Sequence, residues 1–201
     1  MSLETSSAPE FSGQQRRCHL LLMLYAPVPS VQLETIGQIN GVDLLITRQD
    51  IAEVASEIQH FHHLEISGDP DEGYQIQGSA LDLRLCLLQW LRRALRCSPE
   101  FVEQHFGPQF QRAMQLQHQQ LPALELCINQ CEQRLNRRFE QRDRLFLQHY
   151  LCYCVWASQH QRHPQFDRRQ HEWLQSKPEH LAAAELHPAL NQLFGQLGDS
   201  R

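Results

Sequence analysis

One segment in the first half of the chain restricts the fold more than any other. Residues 64–66 and 74–76 alternate apolar and polar side chains with a period of two, which is typical of strands with one buried face. Between them, residues 68–73 are rich in glycine, aspartate and proline, which favour turns. The pattern predicts a two-stranded β-hairpin.

Three helices are predicted before this hairpin. The first covers residues 14–25 and the second covers 31–39, where Gly41 follows and tolerates the positive φ angle that ends a helix. Asp43 is then a favourable N-cap for a third helix over residues 44–60. Three helices followed by a hairpin are the order of a winged helix-turn-helix domain, in which the hairpin is the wing.

The rest of the chain is predicted to be entirely helical, because its apolar residues recur at helical spacing. We therefore predict a mainly α protein in which a winged helix-turn-helix domain with a small β-hairpin wing precedes an all-helical domain. The predicted parts are a disordered tail over 1–13, the winged domain over 14–78, connecting helices over 79–120 and the helical domain over 121–201.

The helical domain is expected to be incomplete within this length. Its apolar faces around residues 181–186 and 190–194 would then stay exposed unless a partner covered them. We expect a homodimer that forms through this helical half.

The charge of the winged domain conflicts with its predicted fold. The whole chain has a net charge of −5, but residues 1–78 contain three basic and eleven acidic side chains. Affinity for DNA depends chiefly on lysine and arginine side chains that neutralise phosphates. The domain whose shape indicates DNA binding is therefore the acidic part of the chain.

The third helix of such a domain normally enters the major groove, where its outward side chains contact bases. The candidate DNA-binding residues here are Thr47, Arg48 and Gln49. Arg48 suits guanine and Gln49 suits adenine, while Thr47 suits a phosphate. Leu44 and Leu45, at the start of the same helix, fit a protein contact better than a groove. DNA and a protein partner thus both remain candidates.

Other function classes find little support in the sequence. The seven cysteines include no CxxC pair, and the histidines form no paired ligand motif, so we expect no metal site. No nucleophile or phosphate-loop motif is present, so we expect neither an enzyme nor a cofactor. No apolar run reaches the length of a membrane span, and reduced thiols are typical of cytosolic proteins. A cytoplasmic protein without membrane contact is predicted.

The arrangement is similar to that of bacterial regulators of the BglG and LicR type, which join winged helix-turn-helix modules to helical phosphotransferase-system regulation domains (PRDs). The segments that carry this similarity are Arg17, Leu21-Leu22, Leu24, Asp50-Ile51, Gly73-Tyr74-Gln75-Ile76-Gln77-Gly78 and Leu83-Arg84-Leu85-Cys86-Leu87-Leu88. Further segments resemble a stationary-phase-inducible protein of that group, namely Gln15-Arg16-Arg17-Cys18, Ile39-Asn40-Gly41-Val42-Asp43, Gln89-Trp90-Leu91-Arg92-Arg93, Arg137-Arg138-Phe139-Glu140 and Pro164-Gln165-Phe166.

The resemblance implies a transcription regulator, associated with stationary phase, whose PRD starts near Leu121. In that family a histidine of the helical domain receives phosphate from phosphotransferase-system proteins. Alignment on the family pattern places Tyr150 at that histidine, and His149 lies one position away on a different helical face. His149 is the candidate phosphorylation residue, although the mismatch argues against control by phosphotransferase-system proteins. The alternative is a degenerate or truncated relative that acts as a protein-interaction module without DNA binding.

Overall fold

A computed structural model describes residues 11–114, 120–160 and 162–194. The protein is mainly helical, as predicted, and its described strands form one two-stranded sheet. The chain divides into two compact units, Met1–Phe106 and Gly107–Arg201. The predicted tail lies largely outside the described residues, but Ser12 already caps the first helix and forms a capping box with Gln15.

The first unit contains the predicted helices and hairpin, with one further helix and a short end segment. Its elements are α1 (Gly13–Leu24), α2 (Leu33–Asn40), α3 (Leu44–His62), β1 (Glu65–Asp69), β2 (Gly73–Gln77), α4 (Ala80–Cys97), α5 (Pro99–Phe101) and a π-helical turn (Val102–Phe106).

Helix α1 is the centre of the first unit. Every residue from position 18 to 26 is buried, so this helix has no solvent-facing side over its second half. It packs against α2, α3, α4 and β2. A helix that is apolar on nearly all sides is expected in a core, and here three other helices and the sheet surround it.

The turn between α2 and α3 has the predicted geometry. Gly41 adopts a left-handed conformation with φ 66°, and the Asp43 carboxylate accepts a hydrogen bond from the Ile46 N–H at 2.8 Å. Gly37 faces the start of α3, where an added Cβ would lie 3.0 Å from the Thr47 hydroxyl. The small residue therefore lets the two helices approach closely.

The hairpin pairs β1 and β2 antiparallel, with Ile66 opposite Ile76. A bridge joins Tyr74 to Val31 through two reciprocal backbone hydrogen bonds of 2.8 Å, which attach the sheet to the segment before α2. Gly68 has φ 115°, and an added Cβ there would lie 2.0 Å from the Gly73 carbonyl oxygen. Only glycine fits this position of the turn.

Helix α4 buries most of the face that its leucine spacing predicts. Leucines at every third or fourth position from 81 to 95 predict a continuous ridge, and Leu91 and Leu95 are buried, whereas Leu85 is 49% exposed. The neighbouring side chains that widen the predicted ridge are buried as well, namely Leu87, Trp90 and Ala94. The helix packs on α1 and α3, so these contacts place α4 inside the first compact unit. The domain limits predicted from the sequence, with connecting helices over 79–120, stay a prediction.

The second unit consists of α6 (Gly107–Ala113), α7 (Gln120–Leu135), α8 (Gln141–Gln159), α9 (Arg168–Gln175) and α10 (Pro178–Phe194). Phe110 of α6 meets Tyr153 and Trp156 of α8 in edge-to-face contacts, with ring centroids 5.8 and 5.7 Å apart. Arg144 of α8 bonds Glu125 and Glu132 of α7, both at 2.9 Å. Apolar and ionic contacts therefore both join its helices.

The expectation of an exposed apolar face at residues 181–186 is wrong in part. Ala182 and Leu186 are buried on α10, which packs along α7, while Leu181 is 60% exposed. The second predicted apolar face covers residues 190–194, and the side chains at 193 and 194 lie outside the part of the chain that the structure describes. None of the helices that the structure describes has the length and apolar character needed to cross a membrane.

A buried ion pair attaches α1 to α3. The Asp50 carboxylate is 4% exposed and accepts a hydrogen bond from Arg16 Nε at 2.8 Å. We expect Asp50→Asn to lower the free energy of unfolding of the first unit by about 2 kcal/mol, because it removes the buried negative charge that pairs with Arg16. The matched variant Glu53→Gln removes an exposed partner of Arg17 and should cost less than about 0.5 kcal/mol. Urea titration followed by peptide-level hydrogen exchange measures the free energy of unfolding of each unit separately. Equal decreases in this free energy for Asp50→Asn and Glu53→Gln would contradict the prediction.

Candidate functional site

The start of α3, directly after the α2–α3 turn, exposes two leucines to solvent. Leu45 is 66% exposed and Leu44 is 42% exposed. Leu44 also lines a shallow groove of about 560 Å³ together with residues of α2 and the turn, namely Glu34, Gly37, Gln38, Gly41, Val42 and Asp43. Arg48 and Gln49 follow on the exposed side of the helix. We call Leu44, Leu45, Arg48 and Gln49 the α3 surface.

Thr47 does not belong to the α3 surface. It is 1% exposed, and its hydroxyl donates a hydrogen bond to the Asp43 carbonyl at 2.8 Å. The threonine faces Gly37 inside the α2–α3 contact, where it cannot reach a phosphate. Helical geometry explains the difference, since Thr47 and Ile51 are four residues apart and share the buried face. Of the three predicted DNA-binding residues, Arg48 and Gln49 are the exposed ones.

Most basic residues near α3 are already paired with acids. Arg16 binds the Asp50 carboxylate, and Arg17 binds Glu53 at 2.8 Å. From α4, Arg93 binds Glu57 at 3.1 Å. Within residues 11–114, Arg48 takes part in no ion pair with a described residue. The positive charge that the α3 surface can offer to a phosphate therefore comes from this one side chain.

The hairpin turn presents acids to solvent. The Asp69 carboxylate accepts hydrogen bonds from the backbone N–H groups of Asp71 and Glu72 at 2.9 and 2.8 Å, which fixes the turn. Asp69, Asp71 and Glu72 are all exposed. A turn of this composition repels a phosphate backbone.

His149, the candidate phosphorylation residue, lies inside the second unit. It is 6% exposed, and burial lowers its pKa to about 4. Desolvation disfavours the charged imidazolium, so the ring is neutral at neutral pH. The neighbouring Tyr150 is partly exposed and stacks on Phe146 with ring centroids 5.3 Å apart. Neither residue presents an accessible imidazole on the surface of α8.

A buried polar cluster around His19 has no counterpart in the sequence analysis. His19 is fully buried, with Nδ1 2.9 Å from Asn40 Oδ1 and Nε2 2.6 Å from Ser98 Oγ. Asn40 Nδ2 donates to the Arg16 carbonyl, which leaves Oδ1 to accept from the imidazole. Burial lowers the pKa of His19, so a neutral ring connects α1 with the ends of α2 and α4. A histidine within an apolar run was the one sequence signal for this cluster.

The described fold and site define a mainly helical protein with an acidic hairpin and an exposed, apolar and weakly basic start of α3. Over 180 residues the chain is 36% identical to the stationary phase-inducible protein CsiE of Escherichia coli strain K12. The aligned part covers 87% of this chain and 42% of that relative, so the chain spans less than half of the relative's length. The predicted resemblance to a stationary-phase-inducible protein is confirmed. No family model matches the chain, and no solved structure matches it significantly.

The burial of His149 makes the stability of the second unit depend on pH. The folded-state pKa of about 4 lies below the ordinary value of 6.5, so the unfolded chain binds the proton first as the pH falls. Stability should therefore decrease between pH 6.5 and pH 4, by about 3 kcal/mol in total from this residue. His149→Leu should remove this part of the pH dependence in urea titrations, whereas His180→Leu, which replaces an exposed histidine, should leave it intact. Identical pH profiles for His149→Leu and the native protein would contradict the assignment.

Proposed function

We propose that this protein is a cytoplasmic transcription regulator, in which α1–α3 and the hairpin form a winged helix-turn-helix domain. The observation that carries the proposal is the outward orientation of Arg48 and Gln49 directly after the α2–α3 turn. In winged helix-turn-helix proteins this part of the third helix contacts base edges. An enzymatic role is not part of the proposal, because the site offers no nucleophile paired with a base.

The similarity to the Escherichia coli protein supports a proposal about when this protein acts. The printed name of the Escherichia coli protein describes it as stationary phase-inducible. We propose that this chain likewise acts in stationary phase and that its second unit corresponds to a PRD. The buried position of His149 favours a domain that works without phosphorylation of this residue, because a phosphate donor needs access to the imidazole. Phosphotransferase-system proteins are therefore not proposed as partners.

Direct DNA binding gives the first test of this function. In electrophoretic shifts on pooled genomic fragments, the native protein should bind a subset of fragments, and raising the salt concentration should weaken binding. Arg48→Ala should reduce affinity for those fragments about tenfold or more, because it removes a bidentate base contact. Arg168→Ala is the matched control, since it removes an exposed arginine of the other unit.

The two outcomes of this experiment point to different mechanisms. A selective shift that Arg48→Ala weakens and Arg168→Ala does not would support the DNA-binding regulator. The absence of any shift at low salt would overturn it, and the winged domain would then serve for contact with another protein.

Contact with a protein is the second candidate function. Leu44 and Leu45 at the start of α3 favour it, because two exposed leucines beside an apolar groove suit a protein surface better than a DNA groove. The acidic hairpin and the pairing of Arg16 and Arg17 with acids favour it as well. In this case the regulatory effect in stationary-phase cells would be lost in Leu45→Glu and retained in Arg48→Ala.

We further propose that the protein forms a homodimer through its helical half. Leu126 of α7 and Leu181 of α10 are 57% and 60% exposed, and Trp173 of α9 is 61% exposed. In the described part of the second unit these side chains offer apolar surface that a second copy would cover.

Sedimentation at micromolar concentration tests the dimer. The native protein should sediment as a dimer, and the double variant Leu126→Glu/Leu181→Glu should sediment as a monomer, because it places charges on the apolar contact. Gln133→Glu adds a charge at an exposed position of α7 without removing apolar surface and should stay dimeric. A native protein that sediments cleanly as a monomer would rule out this interface.

A further inference from the structure

Two cysteines meet where α1 passes the end of α4. Cys18 belongs to α1, and Cys97 is the last residue of α4. Their sulfur atoms lie 3.9 Å apart, although the residues are separated by 79 positions in sequence. Both thiols are reduced in this structure. A disulfide bond has a sulfur–sulfur distance of about 2.05 Å, so the sulfur atoms need to approach by about 2 Å.

Two hydrogen bonds near the sulfur pair hold the end of α4 against α1. His19 Nε2 lies 2.6 Å from the hydroxyl of Ser98, directly beside the cysteine pair. On the other side, Gln15 Nε2 donates to the Cys97 carbonyl at 2.8 Å. Both contacts lie close to the sulfur pair, so the reduced fold already holds the two cysteines near each other. Forming the bond in the folded chain therefore costs little further conformational entropy.

The two thiols differ in their access to a reagent. Cys18 is completely buried, whereas Cys97 is partly exposed. Burial, followed by the proximity of Cys97, raises the pKa of Cys18 to about 12, so this thiol is a poor first nucleophile. An oxidant in solution therefore reaches the pair through Cys97, and Cys18 resolves the product from inside.

We propose that Cys18 and Cys97 are a modification site at which a small-molecule disulfide forms a reversible intramolecular disulfide bond. The thiolate of Cys97 attacks one sulfur of the reagent, which gives a mixed disulfide and releases one reduced thiolate. Cys18 then attacks the Cys97 sulfur and its proton passes to the leaving reagent sulfur, so the second half of the reagent leaves as a thiol. Two protein thiols are oxidised and one reagent disulfide is reduced to two thiols, and excess thiol reverses both steps.

The bond would connect the two helices on which α3 rests. Arg16 of α1 binds Asp50 of α3, and Arg93 of α4 binds Glu57 of the same helix. A covalent link between α1 and α4 therefore fixes the support of the α3 surface. It also closes a long loop of the chain, which restricts the unfolded state.

Oxidised glutathione is the probe for the test, with the full chain as the sample. After treatment, mass spectrometry should find a peptide pair joined through Cys18 and Cys97, and dithiothreitol should separate it. The oxidised protein should unfold at a temperature about 5 °C higher than the reduced protein. Cys97→Ser should prevent the link and this shift, whereas Cys131→Ser, which replaces a partly exposed thiol of α7, should preserve both.

Two results would overturn the proposal. One is glutathione attached to Cys97 without any link to Cys18 after prolonged incubation, which would mean that the buried thiol cannot resolve the mixed disulfide. The other is a link that lowers the unfolding temperature, which would mean that the sulfur atoms are not positioned for the bond.

Discussion

The burial of α1 is the constraint on which the first unit depends. Its second half has no exposed face, so α2, α3, α4 and β2 must all pack against one apolar helix. Polar groups within such a core need partners, because a buried polar group without a hydrogen bond destabilises the fold. His19 meets this need through Asn40 and Ser98, and Asp50 meets it through Arg16. Each of these contacts joins α1 to another part of the chain, so the polar groups also fix the relative positions of the helices that the apolar contacts bring together.

The same contacts explain the unusual charge of the α3 surface. Arg16, Arg17 and Arg93 face acids of α3, and their positive charge is largely neutralised within the unit. A winged domain that binds DNA through many phosphate contacts would use such residues on its outer surface. Here they hold the third helix in place, and the outer surface retains Arg48 beside two leucines. DNA binding by this surface would therefore rest on base contacts more than on phosphate contacts, whereas a protein partner would gain from the leucines. The physical difference between the two mechanisms lies in these few side chains.

Local sequence signals predicted the first unit well where one residue determines the geometry. The Gly41 turn, the Asp43 N-cap and the alternation in the hairpin are of this kind, and the structure confirms all three. Prediction was weaker where burial depends on a distant partner. The ion pair of Asp50 could not be predicted locally, because its partner Arg16 lies 34 positions earlier in the sequence. Thr47 resembled a DNA contact because the burial of that face depends on Gly37 of α2. On α4 the leucine spacing places Leu85 on the buried ridge, yet it is 49% exposed, because contacts with α1 and α3 select the buried face.

The second unit shows how burial can change the meaning of a family motif. Phosphoryl transfer to histidine needs an imidazole that a donor can reach, and His149 is buried. The contacts of Phe110 and Arg144 hold α8 against α6 and α7 and oppose a movement of this helix. Tyr150, which the predicted resemblance aligns with the histidine of PRDs, stacks on Phe146 and has no imidazole to accept a phosphate. A signal that enters through this unit would therefore act on its surface, where Leu126, Trp173 and Leu181 are exposed, and a change in association with another chain is the form that such a signal would take.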